Sequence, residues 1–384
     1  MRKMIWLCWL FPALCLAEPK TVCLNMIVKD EKAVIERCLN SLKPYIDYWV
    51  IVDTGSTDGT QGVIEKCLCD MPGELFERKW VNFAHNRNEA FELAKGKADY
   101  IAFIDADEIF EGIIDKKKLT EEGYTAQVRL AQDPLVTFER PFLVKDGFDW
   151  VWKGVVHEHI QRTDPFEWKR DPSFVVNAEP KDGNRAKDGQ KHVKDAEILE
   201  KALEQEPENG EYIFFLGQAY CCLGKYEEAI KNFRKYLTLK KNTAEFAFWS
   251  CMQIGRIQEE LQAAPEDVIE SYSKAFQLHP TRAEPLYYLG KHFYNQKQYL
   301  LGYILLQFAS QIPFPANDLV YVEHSVYQYG IQAVLANCAF ELGMYEEALE
   351  RYAEVSENKA APSVTRQEAK YSAAYLRKVL TSEK

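Results

Sequence analysis

The sequence contains few cysteines, and their spacing fits neither a zinc site nor a disulfide framework. Of the 384 residues 10 are cysteine, and two of these, Cys8 and Cys15, lie in an apolar N-terminal segment. The others include no pair with the C-x-x-C spacing of a structural zinc site. We therefore expect most of the cysteines to fill the core.

A surplus of positive charge is also absent. The chain has 47 Lys and Arg residues against 58 Asp and Glu residues, a net charge of −11 at pH 7. Such a surface repels phosphate backbones, so the composition argues against a nucleic-acid-binding protein. The 47% hydrophobic and 27% charged residues are typical of globular proteins, and the length predicts two or three domains.

Only the N-terminal segment has a long hydrophobic run, and it is short for a bilayer span. Two basic residues precede the run Met4–Leu16, which ends with small residues at the positions that a signal peptidase reads. Residues 1–17 are therefore predicted to be a cleavable export signal, with a short anchor or a buried strand as alternatives. We expect a secretory-pathway or extracytoplasmic protein, membrane-anchored if the segment is retained, and a cytoplasmic one if the signal is not used.

Beyond this segment, short apolar runs alternate with amphipathic stretches. Strands are predicted over Val22–Val28, Trp49–Asp53, Glu74–Arg78 and Tyr100–Ile104, and helices over Glu31–Leu42, from the turn before Thr60 to near Cys67, and over Phe83–Ala94. This alternation predicts a parallel sheet with right-handed crossovers. Ligands bind such sheets beyond the carboxyl ends of the strands, so Asp53 and Asp105 are expected at one rim.

The turn Asp105-Ala106-Asp107 directly follows a predicted buried strand. Two carboxylates at this spacing can hold a hard divalent cation, which in turn binds a diphosphate. Asp53 has the chemistry to accept hydrogen bonds from a base or ribose, and Arg87 and Asn88 add a cation and an amide near the same edge. Asp58 fits a helix N-cap as well as a ligand contact. Each feature alone also fits a solvated loop or a surface ion pair, but their order around one sheet favours a ligand site.

Four segments of this region carry a specific combination of motifs. They are Met26–Glu31, Val52–Thr60, Asn82–Asn88 and Phe103–Glu108. Together they resemble the nucleotide-sugar-binding half of family 2 glycosyltransferases of the GT-A fold. The resemblance implies an α/β GT-A domain (Rossmann-like) over residues 18–180. It departs from the family at Asp30, where the subgroup usually has Asn, and this leaves the role of position 30 open.

The resemblance also implies roles for individual residues. Asp53 would contact the nucleotide base, and Asp58, Arg87 and Asp105 would lie at the donor. The Asp105-Ala106-Asp107 turn would be the DxD motif that binds Mn²⁺ or Mg²⁺, with Asp107 as the main metal ligand.

Further along, two segments look like the acceptor-side half of the same enzymes. They are Arg140–Val144 and Trp152–Glu158, the second with a W-x-G-x-x-H-E pattern. On a strand His157 and Glu158 would point to opposite faces, so only one would face the site unless the strand ends there. His157 would complete the metal shell, or either side chain would act as general base on the acceptor. We favour His157 as the residue facing the metal, because Val156 and Ile160 on the other face are typical of core. A half-exposed strand with polar edge residues is the alternative.

The C-terminal half has a different, repetitive pattern. A polar, glycine-bearing stretch, 181–190, predicts a linker. After it, residues 191–384 read as helical, and LGKYEEAI at Leu223–Ile230 recurs as LGMYEEAL at Leu342–Leu349. The pattern fits about four tetratricopeptide-like hairpins, in which small residues such as Gly217 let paired helices approach closely.

A catalytic sheet followed by helical repeats resembles the tetratricopeptide-bearing subgroup of family 2 glycosyltransferases. The resemblance implies a metal-dependent, inverting enzyme that moves a sugar from a nucleotide-sugar donor to a protein, peptide or glycan acceptor held by the repeats. One alternative is a non-catalytic, repeat-based binding protein with a degenerate transferase domain, against which the intact DxD motif argues. Another is a nucleotidyltransferase, which would need a glycine-rich basic loop where the sequence has Lys29-Asp30-Glu31.

Overall fold

The structure, a computed structural model, describes residues 18–130, 133–179, 183, 189–315, 318 and 322–382. The predicted export signal over 1–17 and most of the predicted linker over 181–190 lie outside these residues. Within the described ranges, no helix combines the length and the apolar character that a membrane span requires.

Four parallel strands form the centre of the first half. The strands are β1 (Val22–Val28), β2 (Tyr48–Asp53), β3 (Gly73–Glu77) and β4 (Tyr100–Phe103), joined by helices α1 (Ile35–Leu42), α2 (Thr60–Cys67) and α3 (Phe83–Ala94). Their order in the sheet is β3-β2-β1-β4. Leu24 and Met26 of β1 pack in the core that contains α1, whereas Cys23 packs with Phe91 of α3 on the opposite face. Burial on both faces explains why β1, β2 and β4 are nearly continuous apolar runs, whereas β3 at the edge of the sheet is only half-buried. The predicted parallel sheet is confirmed.

Four further strands extend the sheet beyond β4. They are β5 (Glu108–Gly112), β6 (Gly123–Leu130), β7 (Asp133–Lys145) and β10 (Lys169–Ala178), in the order β4-β7-β6-β10-β5. They pair antiparallel except for β6 and β10, which are parallel to each other. Strands β8 (Val151–Lys153) and β9 (His159–Gln161) form a separate antiparallel hairpin.

The hairpin corrects the prediction of a strand through Trp152–Glu158, because the chain turns after Lys153. Gly154 has φ +100° and His157 has φ +55°, both in the left-handed region. A Cβ at Gly154 would lie 3.2 Å from the Cα of Glu158, so glycine permits the close approach that closes the turn. Strand alternation therefore does not apply to His157 and Glu158.

The second half is helical. Its helices are α4 (Lys191–Gln205), α5 (Gly210–Cys222), α6 (Tyr226–Leu237), α7 (Ala244–Glu260), α8 (Pro265–Leu278), α9 (Glu284–Asn295), α10 (Tyr299–Ala309), α11 (Ile331–Glu341), α12 (Tyr345–Glu357) and α13 (Ser363–Ser382), with a π-helical turn at Val326–Gly330 before α11. Helices α5–α6, α7–α8, α9–α10 and α11–α12 pack as hairpins, which matches the expected number of about four. A Cβ at Gly217 would lie 2.8 Å from the Phe233 ring, so the predicted close approach of paired helices is present.

More than a linker joins the two halves. Strand β11 (Val322–Glu323), which precedes α11, pairs antiparallel with β7 and thereby adds a strand to the sheet. His324 Nε2 lies 3.0 Å from the Thr137 hydroxyl of β7. The helical half therefore contributes directly to the sheet.

The cysteines of the described residues are free thiols. Half of them are buried, as expected for core residues, and these are Cys23, Cys38, Cys251 and Cys338. Cys69 and Cys222 are exposed, so the prediction of core packing holds only for part of the set.

Candidate active site

Three predicted aspartates lie at the carboxyl rim of the parallel strands. Asp53 is the last residue of β2, and Asp105 and Asp107 follow β4, with β1 between the two strands. Because parallel strands end on the same side, the strand order itself brings these carboxylates to one edge.

Asp53 is fully buried, and only one of its oxygens has a partner. Oδ1 accepts hydrogen bonds from the backbone N–H groups of Gly55 at 2.8 Å and Ser56 at 2.7 Å. Oδ2 is buried without a hydrogen-bond partner among the described residues. A buried acceptor with unused capacity is costly unless a donor reaches it, and an N–H group of a nucleotide base is such a donor.

Two other aspartates, Asp58 and Asp30, hold the loops at this rim. Asp58 Oδ2 accepts from the Lys32 N–H at 3.0 Å, while Oδ1 accepts from the Thr60 N–H at 2.9 Å and from the Thr60 hydroxyl at 2.6 Å. The N-cap of α2 is Gly59, so Asp58 is not the helix N-cap that the sequence allowed. Its carboxylate is instead occupied with the two loops. Asp30 has φ +53°, which Asn and Asp adopt more readily than most residues, and its Oδ1 accepts from the Thr57 N–H at 2.7 Å. Position 30 is therefore a loop cap in this chain.

Asp105 is held between two arginines. Arg87 of α3 donates from Nη2 to Oδ1 at 2.6 Å, and Arg140 Nη1 of β7 lies 3.4 Å from Oδ2. Burial alone would raise the pKa of Asp105, but the charges of Arg87 and Arg140 lower that pKa to about 2. The carboxylate is therefore ionised at neutral pH, and both of its oxygens face protein cations.

Arg87 also connects the DxD turn to the β8–β9 hairpin. Its Nε donates to Glu158 Oε1 at 2.5 Å, and its guanidinium carbon lies 4.9 Å from the centre of the Trp152 ring. The neighbouring Asn88 donates to the Trp152 carbonyl at 2.9 Å and accepts from the Trp152 N–H at 2.8 Å. The predicted donor-site cation is thus a buried bridge between two parts of the rim.

Sequence reasoning missed the roles of Arg140 and Glu108. Arg140 Nη2 donates to Glu108 Oε2 at 2.5 Å, and the same oxygen accepts from the backbone N–H of Asp105 at 2.9 Å. Both residues stood in motif segments, but nothing local indicated that they would pair. Their contact depends on the long-range antiparallel placement of β7 beside β4.

Asp107 differs from the acids around it, because it forms no ion pair with any described residue. Burial and the negative charges of Asp105, Glu108 and Glu31 raise its pKa to about 7. A Cβ at Gly183 would lie 2.5 Å from Asp107 Oδ2, so the backbone approaches this carboxylate through a glycine. A half-buried carboxylate among other acids is the environment that a divalent cation would stabilise.

The predicted metal set of Asp105, Asp107 and His157 does not converge. The described part of the chain contains no group of three or more His, Cys, Asp or Glu side chains placed to hold a metal. Asp105 is bound to its two arginines, and the His157 ring stacks on Phe215 of α5, with ring centres 4.4 Å apart. The position next to Arg87 belongs to Glu158, contrary to the expectation that His157 faces inward, because both residues lie in a turn.

Comparison with known proteins finds a family match in each half. Residues 23–120 match the model for glycosyl transferase family 2, and residues 210–243 match a tetratricopeptide repeat. The chain carries a family 2 glycosyltransferase domain followed by tetratricopeptide-like helices. The predicted resemblance and fold class are thereby confirmed.

Individual relatives cover only parts of the chain. Glycosyltransferase SunS of Bacillus phage SPbeta is 28% identical over 242 residues, which are 57% of this chain and 54% of SunS, so the chain spans about half the length of that relative. A TPR repeat-containing protein of Synechococcus elongatus is 38% identical over 88 residues, 23% of this chain and 20% of that protein. Among solved structures, MamA from Desulfovibrio magneticus RS-1 is similar over 47% of this chain and 92% of its own, at 17% identity and a TM-score of 0.37.

Proposed function

We propose that this chain is a metal-dependent glycosyltransferase. It transfers a sugar from a nucleotide-sugar donor to a protein, peptide or glycan acceptor, and the helical half recruits the acceptor. The observation that carries the proposal is Asp107, an acid without an ion partner in the described residues, whose pKa is raised to about 7. It lies in the domain that matches family 2, on the same rim as the half-satisfied Asp53.

The contacts suggest a division of roles among the rim residues. Asp53 Oδ2 would accept a hydrogen bond from the base, and Asp107 would be the anionic protein ligand of Mn²⁺ or Mg²⁺. Such a cation neutralises charge on the donor diphosphate. Asp105 would support the turn as the partner of Arg87 and Arg140 rather than ligate the metal, because its oxygens face guanidinium groups.

Glu158 is the proposed general base on the acceptor hydroxyl. Its carboxylate is 11% exposed and lies against Arg87, which also contacts the DxD turn. A base at this place would be close to the donor side of the rim, as deprotonation of an attacking hydroxyl requires.

Acceptor recruitment is supported by an exposed apolar face on α10. Leu300, Ile304 and Phe308 are 58%, 54% and 56% exposed and recur at the spacing that puts helical residues on one face. Clustered exposed apolar side chains mark interaction surfaces more often than isolated ones do. Stacked helical hairpins also offer extended surfaces for macromolecular partners.

The proposed activity is tested with a panel of nucleotide sugars, each with and without Mn²⁺ or Mg²⁺. We expect metal-dependent hydrolysis of at least one donor, and loss of that hydrolysis in Asp107→Asn. If no donor is bound or hydrolysed with either metal, the chain is better described as a non-catalytic binding module.

The recruiting role is tested by charging the exposed face of α10. The double change Ile304→Asp with Phe308→Asp should leave donor hydrolysis unchanged and lower transfer of labelled sugar to macromolecules in a cell extract by about tenfold. Val364→Asp on α13 is the matched control, because Val364 is 64% exposed and lies on another helix. Equal transfer by the double variant and the control would remove this face from acceptor binding.

A further inference from the structure

The turn 154–158, between β8 and β9, is embedded in the first two helices of the helical half. Val156 is 3% exposed and packs in one apolar cluster with Leu199 of α4 and Leu216 of α5. Next to it, the His157 ring stacks on Phe215 of α5 at 4.4 Å between ring centres. The turn is therefore held by side chains of α4 and α5, which belong to the helical half.

This docked turn continues directly into the rim. Glu158, the residue after His157, accepts from Arg87 Nε at 2.5 Å, and Arg87 Nη2 reaches Asp105 at 2.6 Å. A continuous set of contacts thus runs from α4 and α5 to the DxD turn.

The hairpin is too short to fix this turn on its own. Each of its strands has 3 residues, and isolated two-stranded hairpins are marginal in water. Its strands are anchored on the sheet side, where Trp152 and Ile160 pack in one core. The turn itself contains two left-handed residues, Gly154 and His157, and its packing partners lie on α4 and α5. The conformation that presents Glu158 to Arg87 therefore depends on the helical half.

We propose that α4 and α5 position Glu158, and through it Arg87, with Phe215 and Val156 as positioning residues. The helical half then sets the geometry of the rim in addition to its proposed recruiting role. The expected fall in turnover rests on the proposed glycosyltransferase function. The expected loosening of the turn and of Arg87 on α3 does not.

The test compares three phenylalanine variants of the full chain. Phe215→Leu keeps an apolar side chain but removes the stacked ring, whereas Phe215→Tyr keeps an aromatic ring at this position. Phe276→Leu is the matched control, since Phe276 is also a half-buried phenylalanine of the helical half but packs in a different cluster. Val156→Ala loosens the same contact from the turn side and serves if Phe215→Leu does not fold.

Hydrogen exchange of the peptides that contain 154–158 and Arg87 is measured beside kcat and KM for donor hydrolysis. In Phe215→Leu and Val156→Ala we expect exchange in both peptides to rise about tenfold, because local opening becomes easier. We expect kcat to fall about tenfold with little change in the donor KM, because Asp53 and Asp107 keep their places. Phe215→Tyr should keep the exchange of both peptides and kcat at their native values, and Phe276→Leu should change none of them.

Three outcomes would each overturn the positioning role. They are unchanged exchange in both Phe215→Leu and Val156→Ala, faster exchange with an unchanged kcat, and an equal effect of Phe276→Leu. If the native chain hydrolyses no nucleotide sugar, the proposed function fails separately. Exchange around Arg87 then decides the matter: faster exchange there supports the positioning role, and unchanged exchange overturns it.

Discussion

Each half of the molecule contains a group of arginine–carboxylate pairs, and the two groups differ in whether every charge has a partner. In the helical half, Arg282 donates from Nη2 to Glu284 at 2.6 Å and from Nη1 to Asp318 at 3.3 Å. Glu284 also accepts from the Tyr327 hydroxyl at 2.6 Å and from the Glu323 N–H at 3.2 Å. Arg282 is 1% exposed and Glu284 0%, so this pair is closed to solvent, and Asp318, with a side chain that is 21% exposed, completes the pairing from the edge.

At the rim of the sheet the pairing is incomplete. Arg87 and Arg140 take three acids between them, which are Asp105, Glu108 and Glu158. Asp107 has no ion partner among the residues that the structure describes, and Asp53 retains an unpartnered buried oxygen. A fully paired group is explained by structure alone, whereas leftover acceptors at a rim indicate a ligand.

Removing Arg282 should have the largest effect on stability, because it breaks the buried pair of the helical half. Arg282→Met should leave Glu284 as an uncompensated buried charge and lower the free energy of unfolding by about 3–5 kcal/mol. Denaturant unfolding measures this change, and the double variant Arg282→Met with Glu284→Leu should recover most of it. A loss below about 1 kcal/mol in the single variant would mean that the group is not structural.

Removing Asp107, the acid without an ion partner in the described residues, should lower activity and raise stability, whereas removing Arg282 lowers stability. Asp107→Asn should lower donor hydrolysis at least about a hundredfold through loss of the anionic metal ligand. Without metal it should stabilise the fold, because burial and the charges of Asp105, Glu108 and Glu31 disfavour the ionised form and raise its pKa to about 7. After allowance for solvent screening we expect a gain of about 1–2 kcal/mol at pH 8. The gain in the free energy of unfolding reaches its full value above pH 7, where Asp107 is ionised in the native chain. It shrinks as the pH falls toward the pKa of an unfolded Asp.

Asp105→Asn is the matched control, two residues away. The pKa of Asp105 is lowered to about 2, despite burial, by Arg87 and Arg140, so its ionised form stabilises the folded chain. This contribution is present above the unfolded pKa and is lost as the pH falls toward 2. The Asp105 side chain is 39% exposed, so after allowance for solvent screening we expect Asp105→Asn to destabilise the chain by about 1–2 kcal/mol at pH 7 in thermal unfolding. The same sign of effect for both variants would contradict the difference between the two acids.

The positions of Asp53 and Asp105 could be predicted from the sequence, because alternating strands and helices fix which residues end parallel strands. The pairing of Arg140 with Asp105 and Glu108 could not, since it depends on β7 lying antiparallel beside β4 across the chain. The orientation of Glu158 was missed for a local reason. Gly154 adopts φ +100° and starts a turn where strand alternation was assumed. The available signal was the glycine of W-x-G-x-x-H-E, because an isolated glycine inside a strand pattern indicates a bulge or a turn.

Glu158 tests whether an acid that is already paired also takes part in the chemistry. If Glu158 is the general base, Glu158→Gln should slow transfer to the acceptor by about a hundredfold and leave donor and metal binding unchanged. Transfer of labelled sugar and calorimetric binding of the donor give the two readouts. Equal loss of binding and transfer would assign Glu158 to structure alone.

Arg87→Lys provides the comparison for Glu158→Gln. A lysine has no planar fork with which to reach Asp105 and Glu158 together, so it should loosen the bridge without removing the acid. We expect about a tenfold loss of transfer, smaller than for Glu158→Gln. A larger loss in Arg87→Lys would make the bridge, and not a base at Glu158, the important feature.

Substitution of His157 is expected to have the smallest effect. It tests whether the His157 ring, which packs on the helical half, also binds the metal. Its ring stacks on Phe215, and it has φ +55°, which Asn tolerates better than Ala. His157→Asn therefore removes the imidazole with the least strain on the turn. Since the described residues form no metal cluster with His157, the Mn²⁺ concentration for half-maximal donor hydrolysis should stay within about twofold of the native value. The prediction from sequence, in which His157 completes the metal shell, requires instead a rise of about tenfold or more that excess manganese partly reverses. A manganese titration of His157→Asn beside the native chain separates the two, and a reversible rise would show that the ring leaves Phe215 when the donor binds.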